Sequence, residues 1–381
     1  GTIEKGEAYK DSTFTAGVTI DGSITDTNHY IWLTAEPGSR HTGVAGTGVR
    51  VNSAVAPIID IADFYTRFEY FEISATSNSA SQYAVRTASN IGDEATIRNN
   101  IIFKSGSGGI DNRGITMYFQ IDQSRTHNIY NNIIYGFNAY GIGSGSDINL
   151  NIYNNTLYSN GNGATAASTK AMIKNNISIG STTTGDFAGL YNAASSNNIS
   201  SDATAPGTSS LTSQATSTLR FVSTASDFMD LHILDGSVAK DAGADLSATF
   251  KSDIDGAALR PNGANFDVGA DEWFSSSPVY NSSGTFTSGT IDFGGAVDFS
   301  TLSWTATVPS ATGPNAFRLQ LAAKATDSFA AGDYVGLDGT AATYFTTSGA
   351  AIPSGLDNNR YLRYKAYLST SDPAFTPQLD D

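Results

Sequence analysis

The sequence predicts an all-β protein whose first part is a solenoid of stacked coils. The phrase Ile-x-Asn-Asn occurs four times, and the first asparagines of the four copies and of a weaker fifth copy are Asn99, Asn131, Asn154, Asn175 and Asn197. The steps between them are 32, 23, 21 and 22 residues. A period in the low twenties is typical of a repeat that cannot bury its own apolar face and must stack on its neighbours.

The composition supports β structure over helices. The 381 residues include 38 glycines, and only 15% are charged, which is typical of a chain with many turns. No window has a convincing helical period. Hydrophobic residues make up 40% of the chain, enough to form a core.

Charge and cysteine content exclude several classes of function. The net charge of −15 disfavours nucleic acids and acidic membranes as partners, whereas calcium and neutral glycans remain compatible with it. The absence of cysteine excludes disulfides, thiolate metal sites and cysteine nucleophiles. No apolar run reaches 18 residues, so we expect no membrane insertion. The chain opens on Gly1-Thr2-Ile3-Glu4 without a signal peptide, and we expect a mature or trimmed fragment.

Each repeat is predicted to contain two strands joined at an asparagine corner. In the first copy the strands are 95–97 and 101–103, and a glycine-rich turn follows at 105–109. Asparagine tolerates the left-handed backbone region that a corner requires. We therefore predict an amide ladder between coils formed by the first asparagine of each copy: Asn99, Asn131, Asn154, Asn175 and Asn197. Ile97 and Ile101 are both predicted to point inward.

The repeat resembles the right-handed parallel β-helix (pectate-lyase-like) superfamily. The resemblance extends through a closing series that includes Asp227-Phe228-Met229-Asp230-Leu231-His232, Asp253-Ile254-Asp255-Gly256 and Phe266-Asp267-Val268-Gly269-Ala270-Asp271-Glu272. This series is similar to the end of many bacterial surface β-helix proteins of undefined activity. The resemblance covers residues 1–274 and implies an architecture, because the superfamily includes lyases, hydrolases, phage tailspikes, adhesins and inert scaffolds.

A second unit is predicted after a short linker at residues 275–278. Strand patterns at 283–286, 290–293, 300–307, 316–323 and 360–368 indicate a β-sandwich at residues 279–381. Alternation in the last pattern places Tyr361, Arg363, Lys365 and Tyr367 on one face. The segment resembles accessory β-sandwich modules of bacterial surface proteins, which usually continue with one more strand after a phrase like Leu379-Asp380-Asp381.

Candidate catalytic residues lie within the longest repeat step. An insertion around residues 105–125 carries Asp111, Arg113, Asp122 and Arg125, the residue types that a polysaccharide lyase uses to bind calcium and abstract a proton. The alternative interpretation is that they are solvated turn residues. The Arg-Pro and Trp-x-Asp-His phrases of lyases are absent from the coil faces, and so are the Gly-x-Asp-Asp and Gly-His-Gly phrases of polygalacturonases. His127 and His232 are expected to be structural.

Two further sets of residues are candidates for binding. Calcium favours several oxygen ligands, and Asp253, Asp255, Asp267 and Asp271 could supply them, although these carboxylates could instead cap turns. Tyr130, Tyr153, Tyr135 and Tyr140 are candidate glycan contacts, because tyrosine combines an apolar ring with a polar hydroxyl. Tyr130 and Tyr153 occupy the same repeat position, which is predicted to face outward.

The sequence therefore favours an extracellular or cell-surface protein with a structural, adhesive or glycan-contacting role. Self-association into a larger surface assembly or fibre is compatible with this interpretation, and no cofactor is expected apart from calcium. The alternatives are a polysaccharide lyase or glycoside hydrolase that acts in a groove on a coil face, and a phage tailspike-like protein, which would be a trimer.

Overall fold

The computed structural model describes residues 3–78, 81–87, 94–106, 108–118, 125–145, 148–226, 228–256, 260–274, 280–372 and 376–379. The chain divides into two compact units, residues 1–274 and 275–381. The predicted linker at 275–278 lies outside the described residues. No helix in the described ranges is long and apolar enough to cross a membrane.

Residues 4–190 wind through seven coils of three short strands each. In chain order the coils contain β1 (Glu4–Ala8), β2 (Thr13–Phe14) and β3 (Val18–Ile20); β4 (Ile31–Ala35), β5 (Val49–Ser53) and β6 (Ile59–Ile61); β7 (Thr66–Glu69), β8 (Phe71–Ala75) and β9 (Tyr83–Thr87); β10 (Ala95–Arg98), β11 (Ile101–Lys104) and β12 (Arg113–Met117); β13 (His127–Tyr130), β14 (Ile133–Tyr135) and β15 (Tyr140–Ser144); β16 (Leu150–Tyr153), β17 (Thr156–Tyr158) and β18 (Asn162–Ala167); β19 (Ala171–Lys174), β20 (Ile177–Ile179) and β21 (Phe187–Leu190).

The coils stack into three parallel sheets, so the first unit is a parallel β-helix. The first sheet contains the first strand of every coil, the second sheet the second strands, and the third sheet the third strands. An eighth strand, β22 (Ile199–Ser200), extends the second sheet. The predicted fold class is confirmed, and the coils begin well before the first Ile-x-Asn-Asn phrase.

Columns of identical apolar residues fill the cylinder. Ile97 pairs in register with Ile129, and Ile152 pairs with Ile173, all four at 0% exposure. The second sheet contributes Ile102, Ile134 and Leu157, and the third contributes Val85, Ile115 and Ile142. Because each coil buries its apolar face only against the coils above and below, stacking supplies the core.

The corner between the first and second sheets has a left-handed residue in every coil from the third onward. The φ angles of Asn99, Asn131, Asn154, Asn175 and Asn197 lie between 47° and 56°. Asparagine adopts this region more readily than most residues, since its short side chain bonds locally. In the preceding coil Tyr70 occupies the equivalent position, with φ 63°.

The amide ladder is present, but it is formed by the second asparagine of each pair. Nδ2 of Asn100 donates to Oδ1 of Asn132 at 3.1 Å, and the same bond joins Asn132 to Asn155, Asn155 to Asn176 and Asn176 to Asn198 at 3.0–3.1 Å. The prediction that the first asparagines form the ladder is wrong. Only the bond from Asn175 Nδ2 to Asn154 Oδ1 joins two of them in the described residues.

The first asparagines instead bind a closing segment, residues 216–274, which packs on the outside of the coils. This segment contains the short helix α1 (Thr216–Leu219) and the antiparallel strands β23 (Phe221–Ala225) and β24 (Phe228–Ile233). Nδ2 of each corner asparagine donates to a carbonyl of this segment, from Asn99 to Asp253, Asn131 to Ser252, Asn154 to Asp267 and Gly269, Asn175 to Ala244 and Asn197 to Ala242.

The closing segment also explains why apolar residues face outward on the second sheet. Ile101, Ile133 and Ile177 alternate with the inward column. The closing segment covers Ile133 with Leu231, Ile254 and Ala270, and it packs on Ile177 with Leu219, Ile233 and Val268. Gly269 fits against Ile177 because it has no Cβ, which would lie 2.7 Å from Cδ1. The prediction that Ile101 points inward is therefore wrong, since both faces of this sheet are buried.

The second unit is built around a central antiparallel strand. The strands are β25 (Ser283–Thr287), β26 (Ile291–Val297), β27 (Thr301–Leu302), β28 (Ala306–Thr307), β29 (Phe317–Lys324), β30 (Ala350–Ala351), β31 (Asn359–Ser369) and β32 (Gln378–Leu379). β31 pairs with β29 on one edge and with β25 and β26 on the other. The two-stranded sheets β27–β30 and β28–β32 contribute residues to the apolar cluster that one face of β29 and β31 forms, consistent with the predicted sandwich.

One predicted strand of this unit is interrupted. The strand pattern at residues 300–307 predicted a single strand, but β27 ends at Leu302 and β28 begins at Ala306. The backbone N–H of Trp304 donates to Oγ of Ser348 at 2.9 Å instead of a neighbouring strand.

We predict that Asn155→Ala lowers the free energy of unfolding by about 3 kcal/mol, because it leaves the buried backbone N–H of Asn132 without an acceptor and removes the bonds that the Asn155 amide donates to Ile129 and Asn176. Urea unfolding followed by circular dichroism measures this loss. Asn151→Ala, on the outer face of the same coil, is the matched control and should cost less than about 1 kcal/mol. Equal losses in the two variants would contradict the role assigned to the ladder.

Candidate functional site

Asp111 and Arg113 lie on the outside of the third sheet and form a closed ion pair. The guanidinium donates from Nε and Nη2 to the two carboxylate oxygens at 2.8 and 2.6 Å, and from Nη1 to the hydroxyl of Tyr83 at 3.0 Å. It also lies between the rings of Tyr83 and Tyr140, 4.9 and 5.3 Å from their centroids. These hydrogen bonds and ring contacts therefore all join Arg113 to other residues of the protein.

The long repeat step consists of two separate insertions. Ten residues separate Phe103 from Arg113, whereas five separate their partners Tyr135 and Tyr140 one coil later. The remaining extra residues lie between β12 and β13. Arg125, in this second insertion, lies 4.6 Å from the ring of Tyr65 beside the first sheet, so it is not part of the Asp111–Arg113 pair.

The electrostatics of this surface do not suit acid–base catalysis. Although burial disfavours the charge of Arg113, its bonds to Asp111 hold its pKa above the ordinary value, so it is not a base. On the neighbouring coil, Arg86 forms the same two-point contact with Asp60, at 2.9 Å for both bonds. Two aspartates, each held by an arginine, differ from the free carboxylate pair of a glycosidase. Asp122 lies outside the described residues.

Three of the four predicted metal-binding aspartates accept backbone N–H groups, and the fourth, Asp255, contacts His232. Oδ1 of Asp253 accepts the N–H groups of residues 255 and 256, and Oδ2 of Asp271 accepts that of Ile233 at 2.8 Å. The two oxygens of Asp267 accept the N–H groups of residues 241 and 273 at 2.6 Å each. No group of three or more His, Asp or Glu side chains that could hold a metal ion occurs in the described ranges. These contacts support the turn-capping interpretation.

Two buried cations balance this acidic cluster. Arg260 is 3% exposed and donates to the carbonyls of Asp267, Gly269 and Ala270, and it lies 3.7 Å from the carboxylate of Glu272. His232 lies between two carboxylates, with Nδ1 2.5 Å from Asp230 and Nε2 3.1 Å from Asp255. Burial opposes the charge of His232, but these bonds raise its pKa to about 11, so it is a structural cation.

His127 is also structural. Its Nδ1 accepts the backbone N–H of Ala95 at 3.1 Å inside the cylinder, and burial lowers its pKa to about 4. A neutral imidazole that is 1% exposed has no contact with a substrate. Both histidine interpretations made from the sequence agree with this geometry.

Tyr130 and Tyr153 point out of the coil but are not exposed. Their exposed fractions are 5% and 8%, because Phe250 and Phe266 of the closing segment cover them. The rings of Tyr130 and Phe250 stack at 4.5 Å with an angle of 6° between their planes. The prediction that this position forms an open aromatic ladder is wrong, and neither ring is available to a glycan.

Tyr135 belongs to a different row, which does border open space. Phe103, Tyr135 and Tyr158 occupy the same register position in three successive coils of the second sheet. The rings of Phe103 and Tyr135 stack at 5.1 Å and 5°, and Tyr158 meets Phe221 edge-on at 6.3 Å. We call this row and its surroundings the aromatic groove.

The aromatic groove has a volume of about 570 Å³, within the usual range of small-ligand sites. Lys104, Ser105 and Gly106 line it from the coil side, and Thr224, Ser226 and Met229 from the β23–β24 hairpin. Nζ of Lys104 donates to the carbonyls of Ser105 and Gly106 at 3.1 and 3.2 Å. Apolar rings and a few polar groups therefore converge on one concave surface.

Sequence reasoning missed Phe103 and Tyr158 as members of this row. The repeat spacing contains the signal for both. Phe103 and Tyr158 each lie three positions after the second asparagine of their pair, as Tyr135 lies three positions after Asn132. The hairpin that forms the other wall could not be placed, since it comes from residues more than 60 positions later in the chain.

Comparison with known proteins does not assign the chain to a family. No family model and no curated protein matches the chain. A matching solved structure is titled "Crystal structure of pectate lyase Pel9A", with 16% sequence identity, a TM-score of 0.29 and coverage of 71% of this chain and 86% of that chain. At this score the likeness carries no argument about activity.

We predict that Asp271→Asn stabilises the protein relative to wild type as the pH rises from about 4 to about 7. Burial raises the pKa of Asp271 to about 7 from 3.8, so the folded state favours the protonated acid. Its contribution to stability is complete below pH 3.8 and is lost as the pH rises through 7, at about 1.4 kcal/mol per pH unit. Asparagine keeps an acceptor for Ile233 without this dependence.

Urea unfolding of both proteins at several pH values across this window measures the difference. Asp21→Asn, at an exposed position, is the control for general charge effects. Parallel pH profiles for wild type and Asp271→Asn would contradict the burial of an ionisable group at this position.

Proposed function

We propose that this chain is an extracellular or cell-surface β-helix protein that binds a glycan, without cleaving it, in the aromatic groove. The observation that carries the proposal is the row of Phe103, Tyr135 and Tyr158 in a concave surface of about 570 Å³. Stacked coils repeat the same side-chain position at the spacing of neighbouring strands, so the site extends along the solenoid axis. An elongated ligand such as a saccharide chain fits this arrangement.

The chemistry of the groove matches a neutral sugar. Ring edges offer contacts for the apolar C–H surface of a pyranose, and the hydroxyls of Ser105, Thr224 and Ser226 can exchange hydrogen bonds with its hydroxyl groups. Burial raises the pKa of the Tyr135 hydroxyl, which keeps it neutral and able to donate. With one lysine at its margin and a strongly acidic chain around it, the groove has no excess of positive charge for an acidic ligand.

The arrangement of carboxylates supports binding over catalysis. On the third sheet Asp60 and Asp111 are paired with arginines, and in the closing segment Asp267 and Asp271 accept backbone N–H groups. Neither set borders the aromatic groove. A glycosidase needs two carboxyl groups on opposite sides of the scissile bond, and no carboxylate lines the groove among the described residues.

We predict that Tyr135→Ala weakens binding of a neutral oligosaccharide by about tenfold, since one aromatic contact contributes about 1 kcal/mol and its burial adds to this. Isothermal titration calorimetry with cello-, manno- and xylo-oligosaccharides identifies the ligand and measures the loss. Phe103→Ala should give a loss of similar size. Tyr9→Ala, an exposed tyrosine on the first coil, is the matched control and should leave affinity unchanged.

Two outcomes would contradict this function. If no oligosaccharide of a broad panel binds the wild-type protein, the groove is not a glycan site. If wild-type protein releases unsaturated or reducing ends from a polysaccharide, with or without calcium, the non-catalytic role is wrong and the lyase or hydrolase alternative holds.

A further inference from the structure

The basic residues of the second unit are confined to two strands. Between residues 275 and 381 the sequence has five lysines and arginines, and all five lie on β29 and β31, namely Arg318, Lys324, Arg360, Arg363 and Lys365. The same region has nine aspartates, which are spread over its loops and strands. Solubility does not explain why the cations of an acidic unit are concentrated on two strands.

Four of the five cations share one face of the sheet. The antiparallel register places Arg318 opposite Tyr367, Gln320 opposite Lys365, Ala322 opposite Arg363 and Lys324 opposite Tyr361. The other face carries Leu319, Leu321 and Ala366 into the apolar core. We call the outer face, with Arg318, Lys324, Arg363 and Lys365, the cationic face.

Aromatic rings hold these cations in place. The guanidinium of Arg318 lies 4.5 Å from the ring centroid of Tyr344, which meets Tyr367 edge-on at 5.0 Å. Nζ of Lys365 lies 5.1 Å from the same Tyr367 ring. The Tyr367 hydroxyl donates to Oε1 of Gln320 at 2.7 Å, which fixes the ring between the two cations. A cation over an aromatic face keeps its charge while its position is restricted.

The charges of the cationic face are only partly balanced. Lys324 pairs with Asp333 at 2.6 Å, and Arg363 lies 3.6 Å from Asp327. Arg318 and Lys365 have no carboxylate within 4.0 Å among the described residues, and Nε of Arg318 is buried without a hydrogen-bond partner. Two cations on one face that lack carboxylate partners are complementary to the acidic groups of a ligand, whether carboxylate or sulfate.

We propose that the cationic face binds an anionic polysaccharide, with Arg318 and Lys365 contacting its acidic groups and Tyr344 and Tyr367 contacting its sugar rings. This site goes beyond the neutral-glycan site of the aromatic groove and lies on the other unit of the chain. The aromatic side chains favour a sugar chain over a simple anion, because they supply apolar contact between the charged positions.

The test compares ligands that share one backbone and differ in charge. The full chain is analysed by affinity electrophoresis and calorimetry with dextran, carboxymethyl dextran and dextran sulfate. We expect binding to the two anionic polymers and none to dextran, and a loss of affinity with rising salt concentration. The two anionic polymers distinguish carboxylate from sulfate as the preferred group.

The variants separate this site from general charge effects. Lys365→Gln and Arg318→Gln should each weaken binding by about tenfold, the effect of losing one charged hydrogen bond, and Lys365→Arg should largely retain binding. Arg360→Gln removes the same charge from the same strand. Arg360 is exposed, and its Nε and Nη2 groups donate to Asp292, so its loss should change affinity less than about twofold. Thermal unfolding confirms that each variant folds.

Three results would overturn the proposal. The first is failure of the wild-type protein to bind either anionic dextran. The second is an equal loss of affinity in Lys365→Gln and Arg360→Gln. The third is binding of single-stranded DNA as tight as that of the anionic dextrans, which would show a preference for charge alone. Binding of neutral oligosaccharides in the aromatic groove is measured in the same variants. It should not change, so failure of one site is distinguishable from failure of the other.

Discussion

The left-handed corner between the first and second sheets is the constraint on which the first unit depends. Every coil from the third onward turns there through one residue with positive φ, and from the fourth coil that residue is asparagine. The next asparagine then faces inward, where its amide joins the coil above to the coil below. A buried amide without partners costs 1–3 kcal/mol, so the ladder holds only if every coil keeps the same register. That register aligns the isoleucine columns of the core and the aromatic row outside it.

The two asparagines of each pair have different roles, and this difference determines which surfaces remain open. The first asparagine directs its Nδ2 outward to a carbonyl of the closing segment in five successive coils. The segment therefore covers the outer edge of the first sheet, including Tyr130 and Tyr153, and part of the second sheet, including Ile133. It covers the next outward row on the second sheet only in part. Phe103, Tyr135 and Tyr158 consequently border a groove whose second wall is the β23–β24 hairpin.

The repeat period was sufficient to predict the coil architecture, because spacing and corner chemistry are local properties of the sequence. Local sequence patterns did not reveal which other segment of the chain covers each face of a sheet. Tyr130 faces outward as predicted, whereas Ile101 does not face inward. A segment more than 100 residues later buries the outward side at Tyr130, so an outward position is not an exposed one. The same holds for the catalytic candidates. Asp111 and Arg113 have residue types suited to catalysis, but each is the other's partner, which spacing alone does not reveal. In the second unit, by contrast, alternation on β31 correctly predicted the face that carries Arg363 and Lys365.

The most direct test of this division of roles is native-state hydrogen exchange on Asn154→Gly. Glycine adopts the left-handed conformation without strain, so the substitution removes only the side chain, which binds the carbonyls of Asp267 and Gly269 and accepts one bond from Asn175. The account predicts faster exchange for peptides covering residues 239–256 and 260–272, whereas peptides of β13, β16 and β19 keep their protection. Faster exchange in those strands, with the closing segment unchanged, would contradict it.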